Sequence, residues 1–155
     1  MPAVNSKALG QSDERLGSWL QMRAERLGQR VALESLQHHS GGEALSFADL
    51  DRRTAVLASA MRDLGLSPGD AIAIWLPNRP SWMLVHMSAA RLGLLTVPLN
   101  TWYRDSELSH FLRLGQCRAI FADCSFRGID FHGILASAIS SINAAGPRTL
   151  EWIIE

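Results

Sequence analysis

The stretch Ala71-Ile72-Ala73-Ile74-Trp75-Leu76 is apolar at every position. A strand with one wet face alternates apolar and polar residues. An unbroken apolar run of this length suits a strand covered on both faces, as in a parallel sheet flanked by helices. Ser67-Pro68-Gly69-Asp70 precedes it and reads as a β-turn, with proline presetting φ at one centre and glycine tolerating positive φ at the next. Pro77-Asn78-Arg79-Pro80 follows and breaks the run.

Working outward, the upstream segment predicts a helix ending at Gly65. Ser46 caps it, with Asp49 three residues on, and Leu50, Thr54, Leu57, Met61 and Leu64 form one stripe. Before that, Arg15 to Leu27 reads as a loosely amphipathic helix stopped by Gly28. Val31 to Leu36 and Glu43 to Ser46 read as the two arms of a short hairpin around His38-His39-Ser40-Gly41-Gly42. Residues 1–11 are small and polar and are expected to be a flexible leader, with residues 12–155 forming one partial domain.

Downstream, Ser81 to Leu92 predicts a helix that is apolar nearly all round, so it should be buried on more than one side. Leu94 to Val97 reads as a strand closed by Pro98. Asp105 is placed to cap a helix carrying Leu108, Phe111, Leu112 and Leu114. Arg118 to Ala122 reads as a strand, and Asp130 caps a last helix with Phe131, Ile134, Leu135, Ala138, Ile139 and Ile142 inward. Thr149 to Ile154 begins another strand. Strands and helices alternating through short connections indicate an α/β fold with a layered parallel sheet. Ending on a hydrophobic strand suggests a truncated subdomain.

Composition narrows the functional classes. The chain has 155 residues, 47% of them hydrophobic and 19% charged, which fits an ordered domain with a core. Fifteen basic residues balance fifteen acidic ones and are scattered, so no basic face is available for nucleic acid. Cys117 and Cys124 lie too far apart for a CxxC pair and lack His or Cys neighbours at ligand spacing, which favours two reduced thiols. No run reaches the length of a membrane span and the first residues lack a signal-peptide core, so a cytoplasmic location is expected.

Four short motifs, taken in order, carry a resemblance. They are Leu45-Ser46-Phe47-Ala48-Asp49-Leu50, Leu64-Gly65-Leu66-Ser67-Pro68-Gly69-Asp70, Leu76-Pro77-Asn78-Arg79-Pro80-Ser81-Trp82, and Ala90 through Asn100 with its Gly93 and Pro98-Leu99-Asn100. Across residues 45–122 the chain resembles the N-terminal region of the adenylate-forming (AMP-binding) superfamily, of the acyl-CoA synthetase type. Ser81 stands where that family usually has an acid, and Arg104-Asp105 where it often has Thr-Pro. Asn100 in place of Asp leans toward acyl-CoA ligases over peptide-synthetase domains.

The resemblance implies a parent enzyme that activates a carboxylic acid with ATP and Mg2+ as an acyl-adenylate, then forms a thioester with coenzyme A. Bringing anions together in that way requires oriented N–H donors and cations. The family's phosphate loop and catalytic lysine are not found here. The single lysine is Lys7, and no Walker-type or dinucleotide glycine motif occurs. The chain alone is therefore expected to be inactive and to bind no cofactor, with the rest of a ligase or a full-length relative as partner. No catalytic, cofactor-binding or metal residue is assigned.

The remaining candidates read as structural. His38 and His39 belong to a turn, and His86 to a packed helix. Asp51, Arg52 and Arg53 form a wet helix face. Trp75, Trp82 and Trp102 read as core rather than an acyl tunnel. Ser125 lacks a nucleophile elbow, and Tyr103-Arg104 is a thin basis for phosphate binding. Two alternatives stay open: a stand-alone binding or regulatory module, and a small flavodoxin-like domain with its ligand at the carboxyl ends of the strands.

Overall fold

The computed structural model describes residues 16–35, 42–145 and 150–154. The leader (residues 1–11), Lys7, and His38 and His39 lie outside the described residues. In chain order the elements are α1 (Leu16–Leu27), β1 (Val31–Glu34), β2 (Ala44–Ser46), α2 (Phe47–Asp63), β3 (Ala71–Trp75), α3 (Pro80–Leu92), β4 (Leu95–Pro98), α4 (Asp105–Leu114), β5 (Cys117–Ala122), β6 (Ser125–Phe126), β7 (Ile129–Asp130), α5 (Phe131–Ala145) and β8 (Trp152–Ile154).

The central sheet has the order β4-β3-β5-β8 and is parallel throughout. β3 is buried at all five residues, as its unbroken apolar run requires. Its side chains alternate between two cores. Ala71, Ala73 and Trp75 face α4 and α5, packing with Leu108, Leu112, Phe131 and Leu135. Ile72 and Ile74 face α2 and α3, packing with Met61, Val85 and Ala89. A third, smaller cluster of Leu20, Leu45, Leu50 and Met87 seats α1 and the β1–β2 hairpin against α2 and α3.

Local chemistry accounts for the helix boundaries. Ser46 Oγ accepts from the Asp49 N–H at 3.1 Å and donates to the Asp49 carboxylate at 2.8 Å, which holds that carboxyl below its usual range, with Arg52 assisting. Gly69, at φ 92°, closes the turn in which the Asp70 N–H donates to the Ser67 carbonyl at 3.0 Å. Asp130 Oδ1 accepts from the Gly133 N–H at 2.9 Å, capping α5 as expected from its position. Asp130→Ala should cost about 1 kcal/mol, measurable as a lower urea midpoint at unchanged m-value. An unaltered midpoint would show that the cap contributes nothing.

One expectation about these elements is corrected. Asp105 is the first residue of α4 rather than its cap; Arg104 takes that place and its N–H donates to Glu107 Oε2 at 2.8 Å. Asp105 instead accepts from Ser137 Oγ at 3.1 Å, joining α4 to α5. The hairpin β6–β7 was not legible as strands, being two residues per arm. Its Arg127-Gly128 turn has positive φ at both positions, 50° and 77°, the conformation that matches the twist of a tight hairpin. As its apolar surface predicts, α3 is covered on more than one side. The helices α1 and α2 lie over it, and Val85, Met87, Ser88 and Ala89 are buried within these residues. Within 82–99, the large exposed apolar residue is Leu95 on the edge strand β4.

Candidate functional site

In a parallel sheet, every strand's carboxyl end opens on the same rim, and the rim is recessed where the strand order reverses direction. That point lies between β3, whose next strand β4 pairs on one side, and β5, which pairs on the other. Three connections meet there: 76–79 after β3, 99–104 after β4, and 123–130 after β5. Pro77, Asn78, Arg79, Thr101, Trp102 and Arg127 line a cleft of about 400 Å³ between them.

The loops forming this cleft are held from below. Trp75 Nε1 donates to the Asn100 carbonyl at 3.0 Å, and the Leu99 N–H donates to Ile74 O at 2.9 Å. Asn100 Oδ1 accepts from the Trp102 N–H at 3.0 Å, a side-chain-closed turn that leaves the Trp102 ring 61% exposed. Across the recess, Arg79 Nη1 and Asp123 Oδ2 form an ion pair at 2.6 Å between the β3 and β5 loops. Asp123 Oδ2 is shut off from solvent and makes no well-directed hydrogen bond, so the contact is one of charge rather than of donor geometry. The Arg127 guanidinium sits 5.3 Å from the centre of the Phe126 ring.

This rim offers cations, an amide and an exposed indole, which are groups that bind and orient. A nucleophile beside a base, or a carboxyl raised toward neutrality, would be needed for proton transfer or covalent chemistry. Among the described residues, the resolved carboxyl shifts run downward. Asp70 is lowered by the Ser67 N–H and by Arg118, and Glu151 by Arg118. Burial pushes the Cys117 thiol up to about 11, which makes it inert, and neither cysteine forms a disulfide. Among the described residues, no group of three His, Cys, Asp or Glu side chains is placed to hold a metal ion.

The residues singled out from sequence are dispersed. His86 Nδ1 lies 3.2 Å from Thr96 Oγ1 and its ring tilts against Trp82, so it packs between α3 and β4. Trp75 is fully buried and Trp82 half-buried, as core residues, but Trp102 is exposed on the cleft and is corrected from core to rim. Tyr103 stacks on Phe111 at 5.0 Å between centroids, while Arg104 caps α4; the pair makes no common site. Ser125 is in β6. Arg52 and Arg53 are surface residues paired to Asp49 and Glu43. Asp51 departs from the wet face assigned to it, because its carboxylate turns inward to Arg91 of α3. Sequence reasoning missed the Arg79–Asp123 pair, which joins two separate loops, and Arg127, which stacks on Phe126. The one local signal was the Arg127-Gly128 pair, a hairpin-turn dipeptide.

Comparison with known proteins places this geometry. The family model for AMP-binding enzyme matches residues 20–150. Medium-chain acyl-CoA ligase ACSF2, mitochondrial, of Mus musculus is 30% identical over 136 residues, which is 88% of this chain and 22% of that protein. Feruloyl-CoA synthase of Amycolatopsis sp is 37% identical over 97 residues, 63% of this chain and 19% of that protein. The chain thus spans about a fifth of the length of these relatives. Among solved structures, the N-terminal domain of FACL13 from Mycobacterium tuberculosis superposes with a TM-score of 0.73 at 23% identity, covering 91% of this chain and 33% of that one. A long-chain-fatty-acid-CoA ligase, FadD1, from Archaeoglobus fulgidus gives 0.74 at 18% identity, covering 90% and 26%. These two likenesses are of fold.

Proposed function

We propose, because this chain belongs to the AMP-binding enzyme family, that it forms the N-terminal α/β layer of an ATP-dependent acyl-CoA ligase. The observation that carries the reading is the family match across residues 20–150, joined to a fold shared with N-terminal ligase domains. In this reading the layer is a scaffold. Its cores fix the sheet, and the sheet carries the β3 and β4 loops to one rim, where the motif residues Pro77-Asn78-Arg79 and Leu99-Asn100 sit. The acyl-adenylate step belongs to parts of the parent enzyme that bring the phosphate loop, the catalytic lysine, ATP, Mg2+ and coenzyme A. The substrate class is a carboxylic acid, with medium-chain and aryl acids suggested by the names of the relatives. Fatty acid metabolism and a cytoplasmic location belong to the same proposal. Among the described residues no helix is long and apolar enough to cross a membrane, and the mammalian relatives are mitochondrial by name.

The 155-residue chain, incubated with ATP, Mg2+ and octanoate or ferulate, is expected to show no pyrophosphate exchange above a no-protein control. Adenylation needs preorganised phosphate donors that this polypeptide does not supply. Acid-dependent exchange by the purified chain would overturn the scaffold reading. The same assay on a longer polypeptide, in which this chain is followed in frame by a phosphate-loop region, is expected to show turnover.

A further inference from the structure

The motif Leu64–Asp70 takes no part in the cleft: it lies at the amino end of β3, and the cleft lies at the carboxyl ends of the strands. Its two glycines have positive φ, 87° at Gly65 and 92° at Gly69. Asp70 Oδ2 accepts from the Ser67 N–H at 2.8 Å, which fixes the carboxylate over the turn. The same oxygen accepts from Arg118 Nη1 at 2.6 Å, and Arg118 Nη1 also donates to the Gly65 carbonyl at 3.2 Å. The turn thus presents two acceptors to one guanidinium nitrogen. The rest of that guanidinium points to another segment. Arg118 Nε and Nη2 donate to Glu151 Oε1 and Oε2 at 3.0 and 2.6 Å, a two-pronged contact. The Glu151 N–H in turn donates to the Arg118 carbonyl at 2.7 Å. Glu151 immediately precedes β8, which pairs with β5 over only three residues.

We propose that Arg118 is a conformational lock that couples the 65–70 turn to the docking of β8, so that each is held more firmly when the other is in place. The cost of ordering the long arginine side chain is incurred once for both contacts. A carboxylate on one side therefore presents an oriented fork to the carboxylate on the other. The cation also permits two like charges to share the site. Hydrogen bonding from Arg118 holds the Glu151 carboxyl below its usual range, while the charge of Asp70 acts on Glu151 in the opposite sense. The Asp70 carboxyl is lowered first by the Ser67 N–H and then by Arg118. Coupling of this kind is reciprocal by thermodynamic necessity: a change made at β8 is felt in the turn, and the reverse. The motif is in this account a receptor shaped for Arg118. The inference is independent of the ligase reading, because it is measured without substrate or ATP.

Amide hydrogen exchange of the full chain at neutral pH, read by mass spectrometry over residues 64–70, 71–75 and 150–154, is the test. Glu151→Gln is expected to speed exchange in 64–70 as well as in 150–154, and Asp70→Asn in 150–154 as well as in 64–70. Each remote effect should be roughly threefold, with 71–75 unchanged. In an Arg118→Met background the sign reverses: Asp70→Asn should then slow exchange in 150–154, because it removes a repulsion that no cation offsets. Far-UV circular dichroism checks that Arg118→Met folds; if it does not, Arg118→Gln replaces it, and the two carboxylate variants still test reciprocity alone. Carboxylate variants that each alter only their own segment would overturn the proposal. So would equal acceleration across 71–75, which marks a global loss of stability, or an Asp70→Asn effect of the same sign with and without the arginine.

Discussion

Trp75→Ala is expected to lower the free energy of unfolding by roughly 3–5 kcal/mol. Trp75 is wholly buried at the carboxyl end of β3, and its indole stacks on the equally buried Phe131 ring, with centroids 4.0 Å apart and planes inclined by 11°. The truncation leaves a cavity that the flanking strands cannot close, because β4 and β5 are both hydrogen-bonded to β3. It also removes the indole donor that holds the Asn100 carbonyl, and with it a support of the cleft rim. Urea unfolding followed by circular dichroism measures the loss. Phe131→Leu should cost less, since it keeps much of the apolar volume. A change below about 1 kcal/mol for Trp75→Ala would show that the α4–α5 core does not rest on this pair.

Arg91→Ala is expected to be the second most damaging change, at about 2–3 kcal/mol. The Arg91 side chain is 17% exposed and lies between α3 and α2. Its Nε donates to Thr54 Oγ1 at 3.0 Å, and its guanidinium pairs with the Asp51 carboxylate. Removing it leaves the partly buried Asp51 carboxylate and the Thr54 hydroxyl without this partner. The coupling is the sharper test. If Asp51→Ala is made first, Arg91→Ala should cost at least about 1 kcal/mol less than a sum of single effects predicts. Strict additivity would show that the two residues act independently. The same guanidinium stem also packs close to α1: a Cβ placed on Gly17 would lie 3.0 Å from Arg91 Cα and Cγ. Gly17 is thus small so that α1 can approach α3, a reason that no local pattern in α1 could supply.

The expectations read from sequence succeeded where one segment's chemistry decides its own conformation. Ser46 and Asp130 cap their helices because an acceptor side chain three residues before a free N–H needs no distant partner. β3 was recognisable because burial on both faces removes polar residues from a strand. Expectations failed where the outcome depends on what two segments do to each other. Asp51 has the sequence signature of a wet helix face, yet Arg91, forty residues on, turns it inward. The apolar surface of α3 predicted burial on more than one side, but not that α1 and α2 supply it. The cleft at the reversal point brings together residues from three loops, and no single loop marks them.

The sequence by itself determined the order of the main strands and helices, though not the hairpin β6–β7, together with the parallel sheet and the family, because apolar periodicity, caps and turn residues act over a few positions. Only the tertiary structure decided which face each helix covers and which arginine meets which carboxylate. Those outcomes rest on distances between residues remote in the chain, and such distances are set by close packing of the whole fold.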